Sequence, residues 1–344
     1  MEESNTLIAK LKKKKTALRL SLLALVLIVL PALLGTGAEY LTLVMGLTII
    51  YIIAVSGLDI VFGYCGQISM GHAAFYAIGA YGSAIMAEYL KLPIMLTMFL
   101  AALLAAAIGA IIAYPASKLV FHFLSLSTVA FGEIVYLILT RSPGNITNNY
   151  LGLFTKNIDL FGFVLNTPIR MYYFGLVMLA LFLLYKQSLI NSKIGRAFQA
   201  IRENTHAANG MGINVRKYKV IAFTTSAFFT AYAGAMYIHF VKYAHPDTFT
   251  QTQSVRFLTM LLFGGTASIM GPITGSIAVM GLMELLRIEA LRKLQDYQMF
   301  IYGILLLAVI VLIPGGLYKY LHDRVLKLYN QVKKVKDGEV ANRA

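Results

Sequence analysis

The 344-residue chain is 58% hydrophobic and 13% charged, with a mean hydropathy of +0.72, whereas soluble domains carry roughly 25% charged residues. That excludes an ordinary soluble enzyme and marks an integral membrane protein. The net charge of +15 does not point to nucleic acid, because 20 of the 30 Lys and Arg residues fall in three blocks, 1–19, 186–219 and 315–344. Basic blocks beside apolar runs mark cytoplasmic flanks. One cysteine, Cys65, leaves no disulfide and no paired-cysteine metal site.

Residues 1–19 form a basic cytoplasmic segment with six Lys or Arg, followed by the apolar run 20–34. A secretory signal would show the same order of charge and apolarity. The run outlasts a usual h-region, however, and Pro31, Gly35 and Gly37 read as the end of a first span. Further apolar segments lie near 40–60, 66–90, 94–114, 119–140, 171–186, 219–241, 254–270, 272–287 and 298–314. With the first that makes ten, an even number that places both termini and the 186–219 block in the cytoplasm. The segment 272–287 is short for a ~20-residue span, and 66–90 opens on polar residues, so eight to ten crossings fit. The fold class is all-α and polytopic. Pro143, Gly144, Asn148, Asn149, Gly152 and Pro168 make 141–170 an external loop. Small residues four apart, Gly79 and Ser83, Ala102 and Ala106, Gly271 and Gly275, let helix backbones approach closely.

The run from Gly63 to Tyr81 sets Gln67, Ser69 and His72 among glycines beside a span. Polar groups at that depth need partners or water, so the stretch is either a hydrogen-bonded helix contact or part of a solute pathway. Of the acids near apolar segments, Asp59, Glu133 and Glu284, only Glu133 lies well inside one. A charge there costs ~2.5–3.5 kcal/mol on insertion scales and is expected to face the interior, as a hydrogen-bonding carboxyl or as a coupling acid. Catalytic patterns are missing: the six histidines are scattered, and there is no HExxH, GxSxG or Walker-type GxxxxGK[ST]. His239 and His245, six apart, do not share a helical face as metal ligands would. If ATP drives the protein, another chain hydrolyses it. Between 187 and 218, Ala197, Ala200, Ile201, Ala207, Ala208 and Met211 recur at three- and four-residue steps. That is a short amphipathic helix, either lying on anionic lipid or docking a cytoplasmic partner.

These stretches resemble the membrane subunits of ABC importers for branched-chain amino acids, specifically the longer of the two permease types. Gly63 to Tyr81 is similar to that family's G-x-x-G-Q-x-S-x-G-H-A-A-F pattern. Phe131-Gly-Glu-Ile134, Ala200 to Ala208, Gly212 to Lys219, Gly264-Gly265, Gly271-Pro272 and Pro314 to Gly316 follow the family's order from about 40 to 318. The resemblance implies a permease domain over 20–318 and a basic cytoplasmic tail over 319–344. It also implies a homologous second permease, two ATP-hydrolysing subunits carrying the ATP and Mg, and an extracytoplasmic substrate-binding protein, with no cofactor on this chain. The 187–218 loop is then a coupling helix, with Arg202, Glu203, Ala207 and Gly212 its contact residues, and Gln67, Ser69, His72 and Glu133 line the pathway. Urea or short amides are alternative solutes, and an ion-coupled secondary transporter is the rival class. The sequence departs from the family pattern where Asn204, Thr205 and His206 stand in place of acids, leaving Glu203 alone. Gly210 falls inside the expected coupling helix at a cost of ~1 kcal/mol, which ends it early. Thr147 to Gly152 reads Thr-Asn-Asn-Tyr-Leu-Gly where the family shows glycines after the threonine.

Overall fold

The structure is a computed structural model. It describes residues 39–287 apart from 118–120, 143, 145, 156–157 and 161–162, together with 297, 300–301, 303–304, 307–308, 316–320 and 324. The apolar run 20–34, most of 298–314 and most of both basic tails therefore lie outside the described residues.

Helix α1 spans Glu39–Asp59 and is extended by a π-turn, Ile60–Tyr64. It is apolar on every side, and every residue from Ile49 to Asp59 is buried, as a helix without a polar face requires. Residues 65–71 are not helical, and α2 (His72–Tyr89) begins six residues later than the apolar pattern suggests. Gly66, with φ +70°, turns the chain there. α3 covers Ile94–Ala116 and α4 Phe121–Thr140. α5 (Pro168–Asn191) starts on Pro168 behind Thr167, whose side chain accepts from the Arg170 N–H. Two short helices come next, α6 (Lys193–Glu203) and α7 (Thr205–Gly210), then the long α8 (Val215–Val241). α9 (Gln251–Gly264) and α10 (Met270–Arg287) complete the described bundle.

Five described stretches are long and apolar enough to cross a membrane: Glu39–Tyr64, Ile94–Ala116, Phe123–Thr140, Pro168–Asn191 and Val215–Val241. At 14 residues, α9 reaches only ~21 Å, less than a ~30 Å hydrocarbon core. The expected span 254–270 thus stops at Gly264. The chain breaks over 265–269, with Gly265 at φ +106° and Ala267 at φ +54°, before α10 resumes.

α8 is the central helix, packed against α1, α2 and α3. Its small residues make this possible. A side chain at Gly79 of α2 would run into the Ala231 carbonyl, and one at Gly234 of α8 into that of Tyr76, so the two backbones touch through reciprocal glycines. Ser83, one turn beyond Gly79, bonds to His239 Nε2 of α8 at 2.8 Å and to Thr97 of α3 at 3.0 Å. The Gly271–Gly275 pair likewise seats α10 on α9, against the Gly265 and Met260 carbonyls.

α5 and α8 each run between the two ends of the bundle. One end carries α6 and α7. The other carries 141–170, which holds short strands rather than only turns: β1 (Leu153–Phe154), β2 (Ile158–Leu160) and β3 (Phe163–Leu165). β1 pairs antiparallel with β4 (Tyr243–Ala244), which comes after α8, and β2 pairs with β3. Tyr81 donates its hydroxyl to the Ala244 carbonyl at 3.3 Å, tying α2 to the same clamp.

Candidate functional site: polar centres inside the bundle

The glycine-rich stretch after the π-turn is a junction of four helices. His72 opens α2 fully buried, with Nδ1 at 2.9 Å from Ser69 Oγ and Nε2 at 2.7 Å from Ser226 Oγ on α8. The unpaired N–H groups at the helix start are met by side chains: Thr128 of α4 accepts from Met70 N at 3.0 Å, and Ser254 of α9 from Ala73 N at 2.9 Å. Gln67 donates Nε2 to the Lys219 carbonyl at 3.3 Å and to Cys65 Sγ at 3.2 Å. A side chain at Gly71 would strike the Thr128 carbonyl. Gln67, Ser69 and His72 are therefore brought together, buried and hydrogen-bonded. In this conformation they form the helix contact that is one of the two readings of their sequence pattern.

Glu133 stands apart. The inner stripe of α4 is Leu124, Thr128, Phe131, Val135 and Leu139, and Phe131 packs on Phe75 of α2 at 5.2 Å between ring centres. Glu133 falls between these positions and is exposed on the outer face beside Ile134 and Leu137. The expectation that it faces the interior of this chain is corrected: apolar neighbours on both sides do not say which face of a uniformly apolar helix a residue occupies.

The 187–218 segment folds as two helices instead of one. Asn204 breaks it, with φ −156° and ψ 110°, and its side-chain oxygen accepts from His206 N at 2.9 Å and Ala207 N at 3.0 Å. Asparagine at this position caps α7 where an acid is expected from the family pattern. Ala197, Phe198, Ile201 and Ala208 are buried, with Phe198 edge-on to Tyr218 of α8. Arg202, Glu203, Ala207, Met211 and Gly212 are exposed. Gly212 takes φ +81°, a conformation that favours glycine. Arg202 also lies against the buried junction, since a Cβ at Gly66 would sit 3.1 Å from its Cγ.

The least anticipated feature is an ion pair. Asp59 at the end of α1 and Lys186 near the end of α5 are both fully buried, with Nζ to Oδ2 at 2.8 Å. Asp59 Oδ1 accepts from Ala267 N at 2.7 Å, and Lys186 also donates to the Ser268 carbonyl at 3.3 Å while lying 5.7 Å above the Tyr64 ring. The pair thus pins the break between α9 and α10 to α1 and α5. Both carboxylate oxygens and the ammonium have partners, the condition under which a charge is tolerated at this depth. A lysine closing an apolar run is the signal the sequence offers, but its partner lies 127 residues away.

A family model described as the branched-chain amino acid transport system / permease component matches residues 40–310. The chain belongs to that family. The high-affinity branched-chain amino acid transport system permease protein LivM of Escherichia coli is 30% identical over 311 residues, covering 84% of this chain and 72% of that protein. A probable LivM of Methanocaldococcus jannaschii is 25% identical over 242 residues, 65% of this chain and 68% of its own length. A more distant likeness joins the ribose import permease protein RbsC of Escherichia coli, 28% identical over 169 residues, 46% of this chain and 51% of that one. No solved structure matches. The permease is a membrane subunit of an ABC importer, a transport component and a multi-pass protein of the inner membrane. The ion-coupled alternative is not favoured.

Proposed function

We propose that the permease forms one side of the translocation pathway of an ATP-driven importer for branched-chain or related small amino acids. It would pair with a homologous permease and two ATP-binding subunits, receive solute from an extracytoplasmic binding protein, and leave ATP and Mg to the ATPases. Both termini and the end carrying α6 and α7 are assigned to the cytoplasm, where the basic 186–219 block belongs. The solute class is taken from the names of the relatives.

The observation that carries the coupling role is the exposed strip Arg202, Glu203 and Ala207 on two short helices, with Gly212 just past the second, where Arg202 itself lies against Gly66 of the junction. A partner moving that strip pushes α6 against Gly66 and, through α5, against the Lys186 joint. Such contacts turn a local displacement into helix rearrangement because packed interfaces switch between discrete arrangements.

The test is a detergent pull-down of the tagged permease from its native membrane, with ATP hydrolysis measured for Arg202→Ala and Ala207→Trp. Co-purified ATPase chains whose solute-stimulated turnover falls in both variants are the expected result. A permease that purifies alone from membranes still taking up amino acids would exclude the coupling role.

A further inference from the structure

Beside the junction, on the turns of α9 that flank Ser254, lies a third polar centre that, unlike the other two, is incomplete. On the first turns of α9, Arg256 donates an Nη to Gln253 Oε1 at 3.0 Å. Gln253 Nε2 and Arg256 Nε are enclosed yet have no hydrogen-bond partner among the described residues, and Gln253 is 3% exposed. The next residue, Phe257, sets its ring 5.3 Å from that of Tyr76, whose fully buried hydroxyl is also without a partner among the described residues. Tyr237 of α8 completes the group, its ring 5.5 Å from Tyr76.

The chemistry of the set is one-sided. A guanidinium and an amide NH₂ only donate, the phenol hydroxyl is free to donate as well, and the amide oxygen is already used by the arginine. The N-terminus of α9 adds its positive dipole end, since Thr250 makes no side-chain cap bond there. Asp247, four residues before α9, is engaged elsewhere, accepting from Tyr136 at 2.9 Å and lying 3.4 Å from His245. Buried donors left open cost ~1–3 kcal/mol each, a cost that a bound acceptor removes.

We infer that Gln253, Arg256 and Tyr76 form a carboxylate-binding station in the half of the pathway nearer 141–170, where an incoming amino acid is held by its carboxylate. The inference rests on the importer reading for the identity of the solute, but the donor set defines the ligand chemistry on its own. β4 adjoins the 141–170 end and Ser254 touches the junction, so the station lies between the two, on the way in from outside. It prefers amino acids to their carboxamides or to simple amines, because only the carboxylate offers two charged acceptor oxygens to an arginine.

The decisive experiment uses the whole importer in proteoliposomes with its ATPases and binding protein. In Arg256→Gln, leucine uptake is expected to fall by at least about tenfold, the scale of one charge-assisted hydrogen bond, and by more than ATP hydrolysis falls. Arg256→Lys recovers part of the uptake, and Tyr76→Phe loses a smaller share. Unchanged uptake in Arg256→Gln overturns the proposal, as does equal loss of uptake and hydrolysis in Arg256→Gln and Arg256→Lys. A second reading needs no variant: saturation-transfer NMR on the wild-type permease in detergent should show leucine contacts displaced by acetate and not by methylammonium. The reverse order, or no contact, overturns it. Acetate-sensitive contacts in an assembly that imports no amino acid would keep the station and remove the importer reading instead.

Discussion

Lys186 on the spanning α5 and Arg256 on the short α9 are both cations inside the bundle, yet their surroundings differ. Lys186 meets a carboxylate at 2.8 Å, a carbonyl and a tyrosine ring, with both charged side chains wholly buried. Arg256 meets one amide oxygen at 3.0 Å, and donors around it stay open. A cation with a complete set of partners fixes helices to one another and has nothing left to offer a ligand. A cation with an incomplete set, surrounded by other donors, is arranged for an acceptor that comes and goes. Buried charge alone therefore does not mark a transport site; the state of its partners does.

The largest effect comes from breaking the closed centre. Lys186→Met leaves Asp59 buried without its cation, and a loss of ~3–5 kcal/mol is expected, seen as a collapse of the thermal unfolding temperature in detergent. Adding Asp59→Asn should recover most of that loss, because a buried pair removed on both sides is often nearly neutral. A double variant no better than the single would mean that Asp59 matters through the Ala267 N–H rather than through charge. The neutral junction is expected to be less sensitive. His72→Ala removes the ring between two hydroxyls that can turn to other acceptors, and a loss of ~1–3 kcal/mol is expected, measured by the same unfolding assay. The smallest stability change is expected for Arg256→Gln, about 1.5 kcal/mol, the lower end for one hydrogen bond from a charged group, since Arg256 makes a single such bond and is only partly buried. A large destabilisation there would make Arg256 a structural cation like Lys186 and erase the contrast.

The legibility of each centre in the residues depends on the distance over which it is assembled. Apolar runs, the close-packed small pairs such as Gly79 with Ser83, and the junction residues Gln67, Ser69 and His72 are local patterns, and the structure places each where helices meet. The Asp59–Lys186 pair joins ends of different helices, and the rule that groups basic residues into cytoplasmic flanks puts Lys186 with the loop. Glu133 shows the opposite failure. Within α4, apolar on both faces, periodicity carries no signal, so depth is readable and orientation is not. The coupling segment is readable as amphipathic, but one asparagine with the right side chain for a cap splits it in two. Arg256 carries no local signal, because nothing in its neighbourhood along the chain distinguishes an open donor from a satisfied one. Residues 141–170 read as turns; β2 and β3 pair with each other, and β1 forms only because β4, some ninety residues on, supplies its partner.

The π-turn at Ile60–Tyr64 gives the ion pair a genetic fragility. A turn of this kind holds one residue more than an α-turn, the footprint of a single inserted codon in an otherwise regular helix. Deleting any one of those five residues would restore α geometry and rotate the helix before the deletion by about 100° relative to the chain after it. Asp59 would then leave Lys186 while the composition of the span barely changed. A one-codon deletion here would thus be far more damaging than most substitutions in the same helix, and a compensating insertion nearby would be its natural suppressor.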